Sequence, residues 1–382
     1  MPATHRSNTS TRIAGPKLLL LGTLLLASLL LAPALPAAGQ EMTVEAYEPR
    51  STLKVPGGPV TRAKFPFVDA HGHLRARDPV RIDQMVKEMD AMNMAVFVNL
   101  SGGLGEDLKA NLAATKGRYP SRFVVYANVD FSGIGEPGWG KKAAAQLQAD
   151  YDAGARGLKI YKNLSMFQTD IHGKRVAADD PRIAPVWDKA GELGIPVLIH
   201  VGEPSAFWDP WDEHNERWLE LKMFPNRRRD DPERFASFEQ TMSEQHNLFR
   251  NHPDTIFLNA HLGWFGNDLA RLGKLLDELP NVYTELGAVL AELGRQPITG
   301  AAFMEKYQDR VLMGKDSWDP IEGYHVYFRV LETRDEYFDY YRKRHAHWKM
   351  YGLGLSDEVL EKVYFRNALK IIPGIDPSLF PE

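Results

Sequence analysis

Two histidines stand one residue apart at the end of an apolar run. The run FPFVDAHGH covers residues 65–73 and contains His71 and His73. Side chains at positions i and i+2 of a β-strand point to the same face, so both imidazoles would project together, with Asp69 on the same face below them. Converging imidazoles can share a divalent metal ion, and they also occur in ordinary polar loops. Polar residues elsewhere in the chain decide between these two interpretations.

Three further polar residues follow apolar runs in the same way. His200 ends VLIH, His261 ends FLNAH and Asp316 ends VLMGKD. One such residue is easily explained as a polar group near a loop, but five on one rim are costly to desolvate unless they share a ligand. Nitrogen and oxygen donors without sulfur suit Zn²⁺, and less selectively Mn²⁺, Fe²⁺ or Co²⁺. The pattern predicts a catalytic metal ion that lowers the pKa of bound water toward about 7.

Eight short apolar runs must position these residues. The predicted strands cover residues 65–73, 94–102, 122–131, 157–162, 195–202, 255–263, 281–287 and 310–318. Continuous apolar runs are typical of strands covered on both faces, and helical periodicity fills the segments between them. The alternation predicts an α/β fold, a (β/α)₈ TIM barrel. An open doubly wound sheet is the alternative, but no glycine-rich phosphate-binding motif follows the first strand.

Two connections are too long for the simple alternation. They follow the fifth and eighth strands and cover residues 203–232 and 319–354. Both leave the C-terminal ends of strands, where barrel enzymes build their active sites. The aromatic stretch at 324–352 is interpreted as a packed helix, with His345 and His347 away from the strand rim and not counted as ligands.

The N-terminus has the composition of an export signal. Residues 1–17 carry three basic and no acidic side chains, residues 18–31 are apolar, and a small-residue tail follows. This predicts a cleavable signal peptide at 1–39, with an uncleaved anchor as the alternative. Residues 40–64 form a lead segment and 65–382 a single barrel domain.

The net charge of −4 argues against nucleic acid as a partner, and the absence of cysteine excludes thiolate ligands and a cysteine nucleophile.

The order of ligand types along the chain resembles the amidohydrolase superfamily. Its signature is His-x-His on the first strand, His on the fifth and sixth, and Asp on the eighth. GARGLKIYK at 154–162, IPVLIH at 195–200 and the lack of a long N-terminal β-sandwich resemble the amidohydrolase-2 branch. That branch holds aminocarboxymuconate-semialdehyde decarboxylase-like enzymes, aromatic-acid decarboxylases and some hydrolases. One departure is GKDSW, where the branch has a small hydroxyl residue in place of Lys315; alternation turns this lysine away from Asp316.

The resemblance implies a role for each rim residue. The ligands of one metal ion would be His71, His73, His200 and Asp316. His261 would be the catalytic acid/base, and Asp316 would also shuttle a proton to the leaving group. Asp69 would either orient a ligand histidine or cap backbone amides.

Lys159, in the fourth strand, leaves the number of metal ions open. Two-metal members of the superfamily carry a carboxylated lysine at this strand, and His200 and His261 would then bind the second ion. Otherwise the lysine pairs with a carboxylate or steers an anionic substrate. One ion, most simply Zn²⁺, is the favoured interpretation.

The substrate is expected to be a small organic molecule. Aromatic residues and an arginine near the rim suit a compound that bears a carboxylate, and the candidates are Arg217, Trp208, Glu203 and Trp318. The tryptophans could equally cover the barrel rim. Hydrolysis of an amide, ester or lactone is the leading reaction, and non-oxidative decarboxylation of an unsaturated or aromatic acid is the alternative. A barrel that only binds ligands, and a homodimeric assembly, also remain open.

Overall fold

Eight short parallel strands form the inner wall of the barrel. They are β1 (Phe67–Gly72), β2 (Met94–Asn99), β3 (Phe123–Val125), β4 (Leu158–Ile160), β5 (Val197–Ile199), β6 (Phe257–Asn259), β7 (Val282–Glu285) and β8 (Val311–Leu312). The computed structural model describes residues 42–345 and 347–382. The signal peptide predicted at 1–39 lies outside these residues. Within the two described ranges, no helix has the length and apolar character needed to cross a membrane.

Backbone hydrogen bonds join the strands into one barrel. The strands pair in the orders β1-β2-β3 and β4 to β8, all parallel. At one seam the Lys159 amide donates to the Ala127 carbonyl over 2.8 Å, and at the other the Ala70 amide donates to the Met313 carbonyl over 2.9 Å. The predicted TIM barrel is therefore confirmed, and residues 52–382 form one compact unit.

Helices cover the outside of the barrel. They are α1 (Pro79–Met92), α2 (Gly105–Ala114), α3 (Trp139–Ala153), α4 (Asn163–Met166), α5 (Ala184–Glu192), α6 (Trp218–Met223), α7 (Phe238–Asn251), α8 (Leu269–Glu278), α9 (Leu290–Leu293), α10 (Pro297–Lys306), α11 (Glu322–Glu332), α12 (Asp357–Glu361) and α13 (Asn367–Ile371). A π-helical turn at Lys362–Arg366 joins the last two. Each strand is thus followed by at least one helix before the next strand begins.

Helix α1 shows how the sequence sets these elements. Asp78 accepts a hydrogen bond from the Arg81 amide, Pro79 takes the first helical position, and Asn93 ends the helix with φ 70°. Ile82 and Met89 are fully buried and lie on the side that faces the barrel. Burial of each such side chain contributes about 1.5–3 kcal/mol, which holds the helix against the strands.

The two long loops are only partly helical. The first contains α6 and two 3₁₀ turns, Ser205–Phe207 and Pro225–Arg227. The second begins with α11, which ends at Glu332 because Thr333 adopts an extended conformation. The helix expected over 324–352 is therefore wrong beyond Glu332. The described remainder is irregular apart from a 3₁₀ turn at Lys343–His345 and an antiparallel bridge between Phe338 and Met350.

Candidate metal centre

Three of the predicted metal ligands converge at the C-terminal end of the barrel. His71 Nε2 lies 3.2 Å and His73 Nε2 3.4 Å from the same oxygen, Asp316 Oδ1. Tetrahedral ligands held about 2.1 Å from one ion stand about 3.4 Å from each other, so the spacing matches a metal shell. His71 Nε2 is buried and finds no hydrogen-bond partner in the described part of the chain. The donor set therefore fits a divalent cation.

Hydrogen bonds fix the tautomers of the two strand-one histidines. His71 Nδ1 donates to Glu285 Oε1 over 2.9 Å. His73 Nδ1 donates to Ser101 Oγ over 2.9 Å, because the Tyr161 hydroxyl, 3.0 Å from Ser101 Oγ, gives its own proton to the Leu100 carbonyl and accepts from Ser101. In the neutral form of each ring the proton is therefore on Nδ1, and Nε2 faces Asp316 with its lone pair, as a metal ligand requires.

Glu285 is a site residue that the sequence reasoning missed. It is fully buried at the end of β7 and accepts hydrogen bonds from His71 Nδ1, the His261 amide (2.7 Å) and the Gly287 amide (2.5 Å). Burial acts to raise its pKa, but His71 and these donors lower it to about 2. The one available signal was an acidic residue at the end of the predicted seventh strand.

His200 and His261 form a neighbouring pair. His261 Nδ1 donates to the Gly287 carbonyl over 2.7 Å, so its Nε2, 3.1 Å from His200 Nδ1, carries the free lone pair. His200 stands outside the tight group of His71, His73 and Asp316, and its own Nε2 is buried without a hydrogen-bond partner among the described residues. The ring of His261 therefore lies between His200, the fourth predicted ligand, and His71, one of the other three.

Lys159 lies inside the barrel near this pair. It is 1% exposed, and its Nζ has no hydrogen-bond partner among residues 42–345 and 347–382. Burial lowers the pKa of Lys159 to about 8. No hydrogen bond among the described residues therefore competes with a role of the amine in binding a second metal ion or the substrate.

Burial controls the charge states of the other groups. It lowers the pKa of His261 to about 4 and that of His200 well below its usual value, and the positive field of His71 adds to the effect at His261. Burial acts to raise the pKa of Asp316, but His71 and His73 hold it well below its usual range. Burial acts to lower the pKa of His71, but Glu285 and Asp316 raise it. A metal ion that binds His71 Nε2 therefore competes with a proton at that atom, whereas His200 and His261 are neutral ligands or bases at neutral pH.

The backbone is strained where these residues leave their strands. Asp316 has φ 78° and His261 has φ 62°, both in the left-handed region that residues other than glycine avoid.

Asp69 caps backbone amides and not an imidazole, because its Oδ1 accepts from the amides of His71 and Lys315. Lys315 points away from the centre and donates to the Ser317 and Trp318 carbonyls.

A cleft of about 100 Å³ opens beside the centre. The lining residues are Lys162, His200, Glu203, Pro204, Phe207, Arg217, Glu220, Arg227, His261, Trp264, Ala288, Asp316, Arg342 and His345. Two predicted substrate residues, Glu203 and Arg217, therefore border it. His345 also borders it, 3.3 Å from Glu220 Oε1, so the expectation that this histidine lies away from the rim is wrong.

The two predicted substrate-binding tryptophans lie elsewhere. Trp208 packs against Phe238 and donates to the Ala236 carbonyl, and Trp318 packs against Phe97 and donates to Glu88. Both indole N–H groups donate within the protein, and neither residue is among those that line the cleft. Substrate contact by Trp208 and Trp318 stays a prediction. Phe207 and Trp264 supply the aromatic walls in their place.

A TIM barrel with a His-x-His and aspartate centre at its C-terminal face defines a metal-dependent barrel enzyme. The chain belongs to the amidohydrolase family, whose amidohydrolase-2 model matches residues 62–373. The family resemblance stated from the sequence is therefore confirmed. A comparison with curated protein sequences gives no match.

Solved structures share the barrel at low sequence identity. A 2,6-dihydroxybenzoate decarboxylase from Rhizobium is 15% identical with a TM-score of 0.50, over 80% of this chain and 98% of its own. A dihydroxybenzoic acid decarboxylase from a Polaromonas species, with manganese and 2-nitroresorcinol, is 14% identical with a TM-score of 0.50, over 80% and 96%. An amidohydrolase II structure is 15% identical with a TM-score of 0.50, over 80% and 99%. At this identity the likeness shows the fold.

Proposed function

We propose that this protein is a metal-dependent hydrolase that cleaves an amide, ester or lactone bond of a small organic substrate. The observation that carries the proposal is the convergence of His71 Nε2, His73 Nε2 and Asp316 Oδ1 beside a cleft, with both rings oriented by hydrogen bonds at Nδ1. A group of this kind has no packing role that would repay its desolvation without a bound cation.

The ligands proposed for the ion are His71, His73, Asp316 and His200, the last after a small movement of its ring. A divalent cation held here, proposed as Zn²⁺, supplies a Lewis acid that lowers the pKa of a water molecule and polarises a substrate oxygen. Manganese, present in the Polaromonas structure, is the other metal to test.

The protein's own groups handle the protons. His261 Nδ1 is committed to the Gly287 carbonyl, so its Nε2 is the atom that accepts a proton. As the water oxygen bonds to the substrate carbonyl carbon, Asp316 would take one proton from the water and pass it to the leaving nitrogen or oxygen when the scissile bond breaks. His261 Nε2 would accept a hydrogen bond from the water and hold its remaining proton until the product leaves. Phe207 and Trp264 exclude bulk water on one side of the cleft.

Non-oxidative decarboxylation of an aromatic or unsaturated acid is the second candidate. Cationic and acidic side chains both line the cleft, and Arg342 among them favours an anionic substrate. The decarboxylases with the same barrel give the compounds to try first. The centre that we assign to hydrolysis would serve this reaction with a proton delivered to carbon instead of to a leaving group.

The test uses metal-free full-length protein, reloaded with Zn²⁺ or Mn²⁺ and assayed on a panel of esters, amides, lactones and aromatic acids. Hydrolysis products with metal restored would support the first proposal, and carbon dioxide would support the second. His73→Ala should abolish either activity. His252→Ala, whose ring pairs with Asp188 outside the cleft, should leave it unchanged. Activity that persists in His73→Ala would refute the assigned centre.

We also propose that the chain is exported with its signal peptide removed. The basis is the composition of residues 1–39. N-terminal sequencing of the protein expressed with its leader should give a start near residue 40. A start at Met1 would contradict the proposal.

A further inference from the structure

Three of the four cationic side chains around the cleft already have carboxylate partners. The ion pairs are Lys162 with Glu203, Arg217 with Glu220 and Glu292, and Arg227 with Glu220. Their charges are neutralised inside the protein, and their donors point at those carboxylates. They are therefore poor candidates to capture a charged substrate, including Arg217, which the sequence had suggested for that task.

Arg342 is the exception. It is half-buried, and its hydrogen bond is to a hydroxyl group and not to a carboxylate. Its Nη2 donates to Ser317 Oγ over 2.6 Å, and its guanidinium stands 5.2 Å from the centre of the Tyr341 ring. A guanidinium has five N–H donors, so most of them remain available. A partly desolvated guanidinium is stabilised by nearby negative charge, of which Asp316 supplies part, and a bound anion would add to it.

The position of Arg342 places that anion close to the metal centre. Ser317, its hydrogen-bond partner, directly follows the proposed ligand Asp316, and consecutive Cα atoms stand about 3.8 Å apart. Arg342 and Asp316 also border the same cleft. A molecule of modest size could therefore contact both at once.

We propose that Arg342 binds a carboxylate that the substrate keeps throughout the reaction, and so restricts the enzyme to small acids that carry a second, cleavable group. This inference rests on the proposed hydrolysis and names its substrate class. The planar guanidinium suits two parallel hydrogen bonds to the two carboxylate oxygens. The tether to Ser317 fixes the guanidinium plane beside the centre.

The test compares one ester with and without its charge. The probes are 4-carboxyphenyl acetate and its neutral methyl ester, methyl 4-acetoxybenzoate, assayed with the metal-loaded enzyme. Arg342→Met should lower kcat/KM for the charged probe by about tenfold to a hundredfold, as expected for loss of hydrogen bonds to a charged group, mainly through KM. The neutral ester should change by less than about twofold, and Arg342→Lys should recover part of the loss.

Arg344→Met is the matched control, because Arg344 lies in the same loop, stacks on Phe224 and does not border the cleft. Equal losses on both probes, or the same selective loss in Arg344→Met, would overturn the inference and leave the hydrolase proposal intact. Calorimetric binding of 4-hydroxybenzoate needs no turnover. Should neither ester be cleaved, the hydrolase proposal fails. Weaker binding in Arg342→Met would then still support the carboxylate site, and unchanged binding would overturn it.

Discussion

Replacement of Glu285 by glutamine tests how the centre is built. The carboxylate accepts from three N–H groups, those of His71 Nδ1, the His261 backbone and the Gly287 backbone. A glutamine side chain has one acceptor oxygen and one donor nitrogen. In the less costly orientation its oxygen keeps the contacts to His71 and His261, while its amide faces the Gly287 N–H, donor against donor. The other orientation would place the amide against two donors.

The magnitude follows from these contacts. The variant loses one hydrogen bond to a charged group, worth about 1.5–3 kcal/mol, and should be less stable by about that amount. The neutral amide also holds the His71 ring less firmly in the tautomer that leaves Nε2 free. Loss of such an outer partner typically weakens metal affinity about 10- to 100-fold, equivalent to about 1.4–2.7 kcal/mol.

Metal affinity would be measured by competition with a chromophoric chelator on the metal-free full chain. Glu292→Gln is the control, because Glu292 is another buried glutamate with an arginine partner and no contact to the three converging ligands. It should lose stability and keep its metal affinity. An affinity in Glu285→Gln within twofold of the wild type would refute the assignment of Glu285 as the residue that orients His71.

Three other outcomes are expected. Ser101→Ala removes the acceptor of His73 Nδ1, a neutral hydrogen bond worth about 0.5–1.5 kcal/mol, and should weaken metal binding about twofold to tenfold in the same competition assay. Elemental analysis should find one metal ion per chain in both the wild type and Lys159→Met; a fall from two ions to one in the variant would show the two-metal centre. Burial acts to raise the pKa of Glu220, but His345 and neighbouring arginines lower it to about 2, so the stability it contributes is present above pH 4.5 and is lost as the pH falls toward 2. Between pH 6 and pH 3 the wild type should therefore lose about 2 kcal/mol more free energy of unfolding than Glu220→Gln, measured by urea titration, and equal losses would contradict this.

The barrel was predictable because its strands are buried on both faces. Each of the eight apolar runs contains one observed strand, although the strands are shorter than the runs; β8 spans only Val311–Leu312. Residues just beyond these strands meet at one end of the barrel through topology alone. For that reason the convergence of His71, His73 and Asp316 could be expected from three distant segments.

Other features depend on tertiary contacts that no local pattern records. Glu285 reaches His71 across 214 residues, and a glutamate at the end of a strand carries no sign of that partner. The paths of the two long loops are set by packing and not by sequence periodicity. For this reason the sequence did not show that Trp318 packs in the core or that Arg217 pairs with two glutamates. Arg342 could not be predicted for the same reason, because only the folded path of its loop brings it to the cleft.

The left-handed conformations of His261 and Asp316 lower the stability of the fold at two positions that the proposed activity requires. Each such residue costs on the order of 1–3 kcal/mol that a glycine would not incur. A homologue that is no longer selected for activity would therefore become more stable if glycine replaced either residue. Retention of histidine and aspartate at these two bends in related genomes would mark a working enzyme more reliably than preservation of the barrel itself.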